Sequence, residues 1–246
     1  MITVKADLHI HTLLSPCGDL EMTPRHIVDR AAELDLKIIG ITDHNSTRQV
    51  DVIRRLGRER DILVMSGVEI TSREEVHCLG FFPDQERLAA FQDFLDAHLP
   101  HIPNKDGAFG FQVVVDEQDF ILHMEEKLLV TALTATLEEI AAEVYRLGGI
   151  FIPAHIDRAV NSLFSQLGFI PPGLPFDAMG ITCFTTENEV RGRFSLSEHV
   201  TLIKNSDAHF VEDIGRGFSW FTLAECTFDE VRMALSGQYG RGVKPA

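Results

Sequence analysis

Several chemistries are closed off by what this 246-residue chain lacks. Its four cysteines, Cys17, Cys78, Cys183 and Cys226, are widely scattered with no CxxC spacing. That excludes a zinc–thiolate knot or a disulfide framework and points to reduced thiols, with the cytoplasm as the expected compartment. No apolar run reaches the roughly 18 residues a membrane span needs, so no membrane partner is expected. There is no GxSxG elbow and no P-loop, which removes a serine nucleophile and a glycine cradle for nucleotide phosphates. Positive charge is scarce: Lys+Arg number 22 against 37 Asp+Glu, a formal charge of -15. A broad surface for long nucleic acid is therefore not expected, because phosphate backbones require a positive footprint. Bound divalent cations would offset part of the acidity. Trp and Tyr together number only three, leaving the 17 Phe residues to supply aromatic bulk.

What is present is a series of His, Asp and Glu residues at the ends of apolar runs. Val4, Ala6 and Leu8 alternate with Lys5, Asp7 and His9, the period of a short strand. His9 and His11, two apart, then point the same way off its carboxyl end. The apolar run Lys37–Thr42 ends at Asp43-His44, as expected of a strand buried on both faces. Ile62–Met65 leads to Glu69, Val76–Phe82 carries His77, Ile150–Ile152 ends at Pro153-Ala154-His155, and Leu202–Asn205 leads to Asp207 and His209. The first strand opens directly into this series, so a cleaved leader, which would remove it, is not expected.

Helices fall between these strands. Thr23 is a candidate N-cap with Pro24 at the first helical position. Helical stretches follow at about Arg48–Arg58 and Leu88–Leu99. Thr136-Leu137-Glu138-Glu139 and Thr227-Phe228-Asp229-Glu230 read as capping boxes. Further strands are expected within Phe176–Phe184 and, as the last, at Phe218–Leu223. About seven strand–helix units, with polar residues at the carboxyl ends of strands, indicate a parallel α/β fold; a barrel fits the length better than an open doubly wound sheet. One domain is expected over 1–246. A less regular elaboration lies at about 98–126, with an extended piece at Phe111–Val115 between turns at Asn104-Lys105-Asp106-Gly107 and Asp116-Glu117-Gln118-Asp119.

Six imidazoles with several carboxylates suit zinc, manganese or iron in the divalent state. Two nearby cations activate a water toward phosphorus, and Glu69, with two oxygens, is suited to bridge them. Asp43 is a candidate to orient a neighbouring ligand, with loop capping as the alternative. Arg158, three residues beyond His155, offers a guanidinium fork for a phosphate, with a salt bridge to a nearby acid as its alternative. Arg216 is a second candidate of the same kind.

In order along the chain, Asp7-Leu8-His9-Ile10-His11-Thr12, Ile41-Thr42-Asp43-His44-Asn45, Gly67-Val68-Glu69, His77, Pro153-Ala154-His155 and Ser206-Asp207-Ala208-His209 resemble the motifs of the PHP domain, the polymerase and histidinol phosphatase superfamily. The resemblance spans roughly residues 3–225. It implies a distorted (β/α)7 TIM-like barrel carrying two or three divalent ions (Zn, Mn or Fe), and hydrolysis of phosphate esters. Carried over, His9, His11, Glu69 and Asp207 hold the first metal. Glu69, His77 and His155 hold the second, and Asp19, His44 and His209 the third. The chain departs from the family at Asp19, which Pro16-Cys17-Gly18 displaces from its usual place. The implied activity is hydrolysis of a small phosphorylated metabolite or nucleotide by metal-activated water, with Glu69, Asp207, Arg158 and Arg216 as catalytic candidates. The alternatives are phosphodiesterase or exonuclease-like cleavage of nucleotides or nucleic-acid ends, and a non-catalytic, metal-stabilised regulatory domain. Neither oligomeric state nor metal identity follows from these residues.

Overall fold

The computed structural model describes residues 1–105 and 109–246. Its central feature is a curled sheet in which β1 (Ile2–Ile10) pairs in parallel with β2 (Leu36–Ile41), and β2 in parallel with β3 (Leu63–Thr71). Beyond β3 lie β4 (His77–Phe82) and β7 (Ile150–Pro153), each antiparallel to its predecessor. The mainly apolar sequences of β2 and β3 match their burial on both faces.

The arc closes through a separate parallel pair, β8 (Met179–Ile181) and β9 (Leu202–Lys204). Ile156 N–H donates to the Gly180 carbonyl at 2.9 Å on one side. On the other, His11 N–H donates to the Ala208 carbonyl at 3.0 Å, returning the chain to β1. Seven strands, β1, β2, β3, β4, β7, β8 and β9, thus form the distorted barrel that the motif resemblance implies. The parallel α/β pattern expected from the sequence is interrupted at β4 and β10 (Ser219–Leu223). The short Thr71–His77 connection can only return β4 antiparallel to β3, and β10 runs antiparallel to β1. Nor is β10 the last strand, since β11 (Gly242–Pro245) pairs with it.

Helices cover the outside. In α1 (Pro24–Glu33) the Thr23 side chain accepts from His26 N–H, and Ile27, Val28 and Ala31 face inward. Then come α2 (Val50–Glu59) and α3 (Gln85–His98), the latter capped by Asp84. The Thr136–Glu139 capping box opens α4 (Leu137–Arg146) as expected. Shorter helices α5 (Leu163–Leu167) and α6 (Glu187–Phe194) flank β8, and α7 (Phe228–Leu235) follows β10. At α7 only half of the expected box exists. Thr227 accepts from Glu230 N–H, but the Glu230 carboxylate is taken by Ala224 N–H and by Arg241 at 2.6 Å. A full ion pair outcompetes one backbone donor there.

The elaboration contains a hairpin of β5 (Val113–Val115) and β6 (Ile121–Met124), turned by Asp116, whose Oδ1 accepts from Gln118 and Phe120 N–H. Asp106 and Gly107 of the turn expected before it lie outside the described residues. Val113 and Val115 pack on Leu13, and Gly110, at φ +94, sits so close to Pro16 that a Cβ would lie 2.1 Å from its carbonyl oxygen. Only glycine permits this approach, which lays the elaboration against the Ser15–Gly18 loop. Among the described residues no helix is long and apolar enough to cross a membrane.

Candidate metal centre

The carboxyl ends of β1, β3 and β7, the amino end of the antiparallel β4 and the loops after β2 and β9 converge on Glu69. This carboxylate is 1% exposed, and five ring nitrogens stand 3.0–3.3 Å from its oxygens: His9 Nε2, His11 Nε2, His44 Nδ1, His77 Nδ1 and His155 Nε2. Asp207 Oδ1 approaches His9 Nε2 and His11 Nε2 at 3.3 Å each. Three groups place one ligand atom per residue within 4.8 Å of one another: His9, His11, Glu69 and Asp207; His44, Glu69 and His77; and His11, His44 and His209. The groups share Glu69, His11 and His44, so they are adjacent positions in one centre. Two non-glycine residues here, His155 (φ 27) and Asp207 (φ 55), hold left-handed backbone conformations. Such strain persists where surrounding structure over-determines it, typically at functional sites.

The donor set fits divalent cations. His9 Nε2 and His11 Nε2 are 3.1 Å apart, a contact of two lone pairs unless a proton or cation lies between them. His44 Nδ1 is buried without an aligned hydrogen-bond partner. Electrostatics point the same way. Burial would raise the Glu69 carboxyl, but the His77, His9 and His44 imidazoles overturn that and hold it well below the ordinary range. Burial would lower His11, yet Asp207 and Glu69 push it well above its usual value. The carboxylates thus demand positive charge beside His11. His209, by contrast, is lowered to about 4 by burial, with His11 adding to the effect.

Outer partners set which nitrogen His11 and His209 present. Ser15 Oγ donates to Asp43 Oδ1 at 2.7 Å and accepts from His44 N–H at 3.2 Å. With its one proton committed, it accepts at 3.0 Å from His11 Nδ1, so His11 keeps Nε2 free. Asp43 is anchored by Thr12 N–H and Oγ1 at 2.7 and 2.8 Å. Asp43 thereby caps the Thr12–Ser15 loop, and through Ser15 it is linked to the His11 ring. His209 Nδ1 donates to the Asp207 carbonyl at 2.9 Å, which frees its Nε2. Asn161 grips His77 twice, its carbonyl accepting from His77 N–H at 2.9 Å and its side-chain amide lying 3.2 Å from Nε2. Ser15 and Asn161 went unnoticed in the sequence reading. Asn161 is 84 residues from His77, and no spacing rule joins them.

Asp19 stands apart from the three groups. Its N–H donates to the His209 carbonyl at 2.9 Å, which puts its backbone beside the centre, but its Oδ1 accepts from Glu21 N–H at 2.8 Å. Arg158 Nη1 donates to Asp207 Oδ2 at 2.7 Å, realising the salt bridge held out as its alternative role. Arg158 also lines a cleft of about 560 Å³ beside the centre, together with His209 and Arg216. Arg216 is exposed and paired with Asp213. All four cysteines are free thiols.

The PHP domain family model matches residues 7–158. The chain belongs to the PHP domain family, a family of metal-dependent phosphoesterases. Over 99% of its length it is 24% identical to the uncharacterized protein YqxK of Bacillus subtilis (strain 168), of which it covers 64%. A shorter stretch, 34% of the chain, is 34% identical to a 3',5'-nucleoside bisphosphate phosphatase of Chromobacterium violaceum, covering 30% of that protein. Among solved structures, the fold is similar to that of the lesion-specific endonuclease PfuEndoQ from Pyrococcus furiosus, with a TM-score of 0.73 at 20% identity. That match covers 98% of this chain and 58% of the endonuclease. The PHP chain thus spans less than two thirds of the length of these relatives.

Proposed function

We propose that this chain is a hydrolase that cleaves the phosphate ester of a small phosphorylated metabolite or nucleotide, acting as one unit over residues 1–246. The observation that carries the proposal is the Glu69 cluster, five imidazoles about one buried carboxylate, with Asp207 beside it. Two or three divalent ions (Zn, Mn or Fe), held by His9, His11, His44, Glu69, His77, His155, Asp207 and His209, would polarise the phosphoryl group and make a water nucleophilic near neutral pH.

The chain's own residues supply the rest. Glu69, ionised despite burial, ties the adjacent positions together with its two oxygens. Asp207 divides its oxygens between His9 and His11 on one side and Arg158 on the other. Arg158, fixed by that carboxylate, keeps further N–H groups for phosphoryl oxygens in the cleft it lines. Arg216 is placed as a second, looser phosphate contact on the same cleft. Asp19 is proposed to join the His44 and His209 position by turning its carboxylate toward them. Unchanged metal content in Asp19→Asn would leave it a turn residue.

Protein reloaded with manganese should release inorganic phosphate from monoesters, and chelation should stop it. Absence of metal-dependent release across a broad phosphoester panel would overturn the proposal. Cleavage of phosphodiesters or strand ends is the second reading, favoured by the cleft's openness to solvent at Arg158 and Arg216. The charge of -15 weighs against a long polymer. Nucleoside monophosphates released from single strands, in preference to phosphate from monoesters, would select that reading.

A further inference from the structure

The cleft beside the metal centre is not lined by charge alone. Phe184, in the loop after β8, is 79% exposed, and Phe210, immediately after His209, is 50% exposed. Both line the same cleft as Arg158 and Arg216. Among the described residues neither ring stacks on another aromatic, whereas Phe164 and Phe194 nearby in sequence stack on each other at 4.1 Å. Two bare aromatic faces at the mouth of a phosphate site leave apolar surface in water, unless a flat ligand group covers it. The volume, about 560 Å³, falls within the roughly 300–1,000 Å³ of sites for whole organic ligands and far exceeds what a phosphate group fills.

We infer that Phe184 and Phe210 form a shelf for a nucleobase, so that the substrate is a mononucleotide. Its phosphate would lie toward Asp207, His209 and Arg158, and its base on the two rings. This rests on the phosphate-ester reading above and names its substrate class. Stacking accepts any base, since every base has a π-face, so the shelf selects nucleotides over other phosphorylated metabolites more than one base over another. The acidity of the chain disfavours a longer polyanion.

The test compares adenosine 5'-monophosphate with ribose 5-phosphate, which keeps the sugar phosphate and lacks the base. With manganese-loaded protein, Phe184→Ala or Phe210→Ala should lower kcat/KM for the nucleotide about tenfold, chiefly through KM, the size of one base stack. Turnover of ribose 5-phosphate should change less than about twofold, and Phe184→Trp should restore the nucleotide rate. Equal losses on both substrates would overturn the shelf. Adenosine has no ester to cleave, so saturation-transfer NMR on it reads the shelf without turnover. Transfer to the base protons, lost in the Phe184→Ala, Phe210→Ala double variant, supports the proposal. No transfer to the unaltered protein overturns it. Should neither phosphate be hydrolysed, the hydrolase reading fails and the adenosine signal still decides the shelf. A 5'-phosphorylated trinucleotide that binds more tightly than the mononucleotide would also contradict the assignment.

Discussion

Glu69 is 1% exposed and faces five imidazoles, whereas Arg158, on the rim of the adjoining cleft, is 41% exposed and pairs with one carboxylate. The two regions touch through Asp207, but they obey different physics. In the buried cluster each ligand atom has lost water and depends on its neighbours, so removing one group strands the others. On the rim, water can replace a lost partner, and single contacts are worth little on their own. The cluster is also pre-oriented by Ser15, Asp43 and Asn161, while the rim leaves Phe184, Phe210 and much of Arg216 open to a ligand. A buried, pre-oriented cluster and a solvent-open rim thus lie side by side.

Glu69→Gln should show the largest effect, because it removes the negative charge at the middle of the cluster. Phosphate release should fall by roughly a thousandfold, given the several kcal/mol that metal assistance supplies. Metal content by elemental analysis should drop with it. Full metal content in this variant would break the contrast between cluster and rim.

Acid should act on the cluster next. Burial lowers His209 to about 4, against roughly 6.5 in an unfolded chain. Between those values the unfolded chain binds a proton that the folded chain does not, so His209 makes the folded state less stable as pH falls from about 6.5 toward 4. In chelator-treated protein the effect amounts to roughly 3 kcal/mol at most. His209→Asn should lack this part of the pH dependence, read from urea midpoints at pH 4 and 7. Parallel curves for the two proteins would show that His209 is not held neutral.

Ser15→Ala tests pre-orientation. It removes the acceptor that fixes the His11 proton, and manganese affinity should weaken by about 10–100-fold, measured by electron paramagnetic resonance titration. Unchanged affinity would mean that the cluster needs no outer support. Arg158→Gln should cost least, raising KM for a phosphate ester about tenfold with metal content intact, the scale of one charge-assisted contact. Loss of metal in Arg158→Gln would instead make the rim part of the cluster through Asp207.

The cluster was legible in the sequence because strand ends are. An alternating run such as Val4–Leu8, or the continuous apolar run Ile38–Ile41, announces its own end, and the residue type found there carries the chemistry. His9, His11, His44, Glu69, His155, Asp207 and His209 could therefore be singled out before their distances were known, whereas His77 opens its strand and came from the family motif order. The direction of β4 was not visible, because a strand's periodicity is the same either way along the sheet. Glu230 could be read as a capping residue from its spacing, but its Arg241 partner arrives from beyond the helix. Asp19 shows the same limit: the family order suggested a ligand, while the local turn with Glu21 decides where its Oδ1 sits in the structure. Phe184 and Phe210 lie in loops without periodicity, where an aromatic residue has no assigned side until the cleft is seen.

Anomalous diffraction at the manganese edge, from crystals grown with manganese, tests the central claim most directly. At least two peaks should flank Glu69, one toward His9, His11 and Asp207 and another toward His77, with its two oxygens shared between them. A single peak remote from Glu69, or none within the ring of imidazoles, would contradict the account.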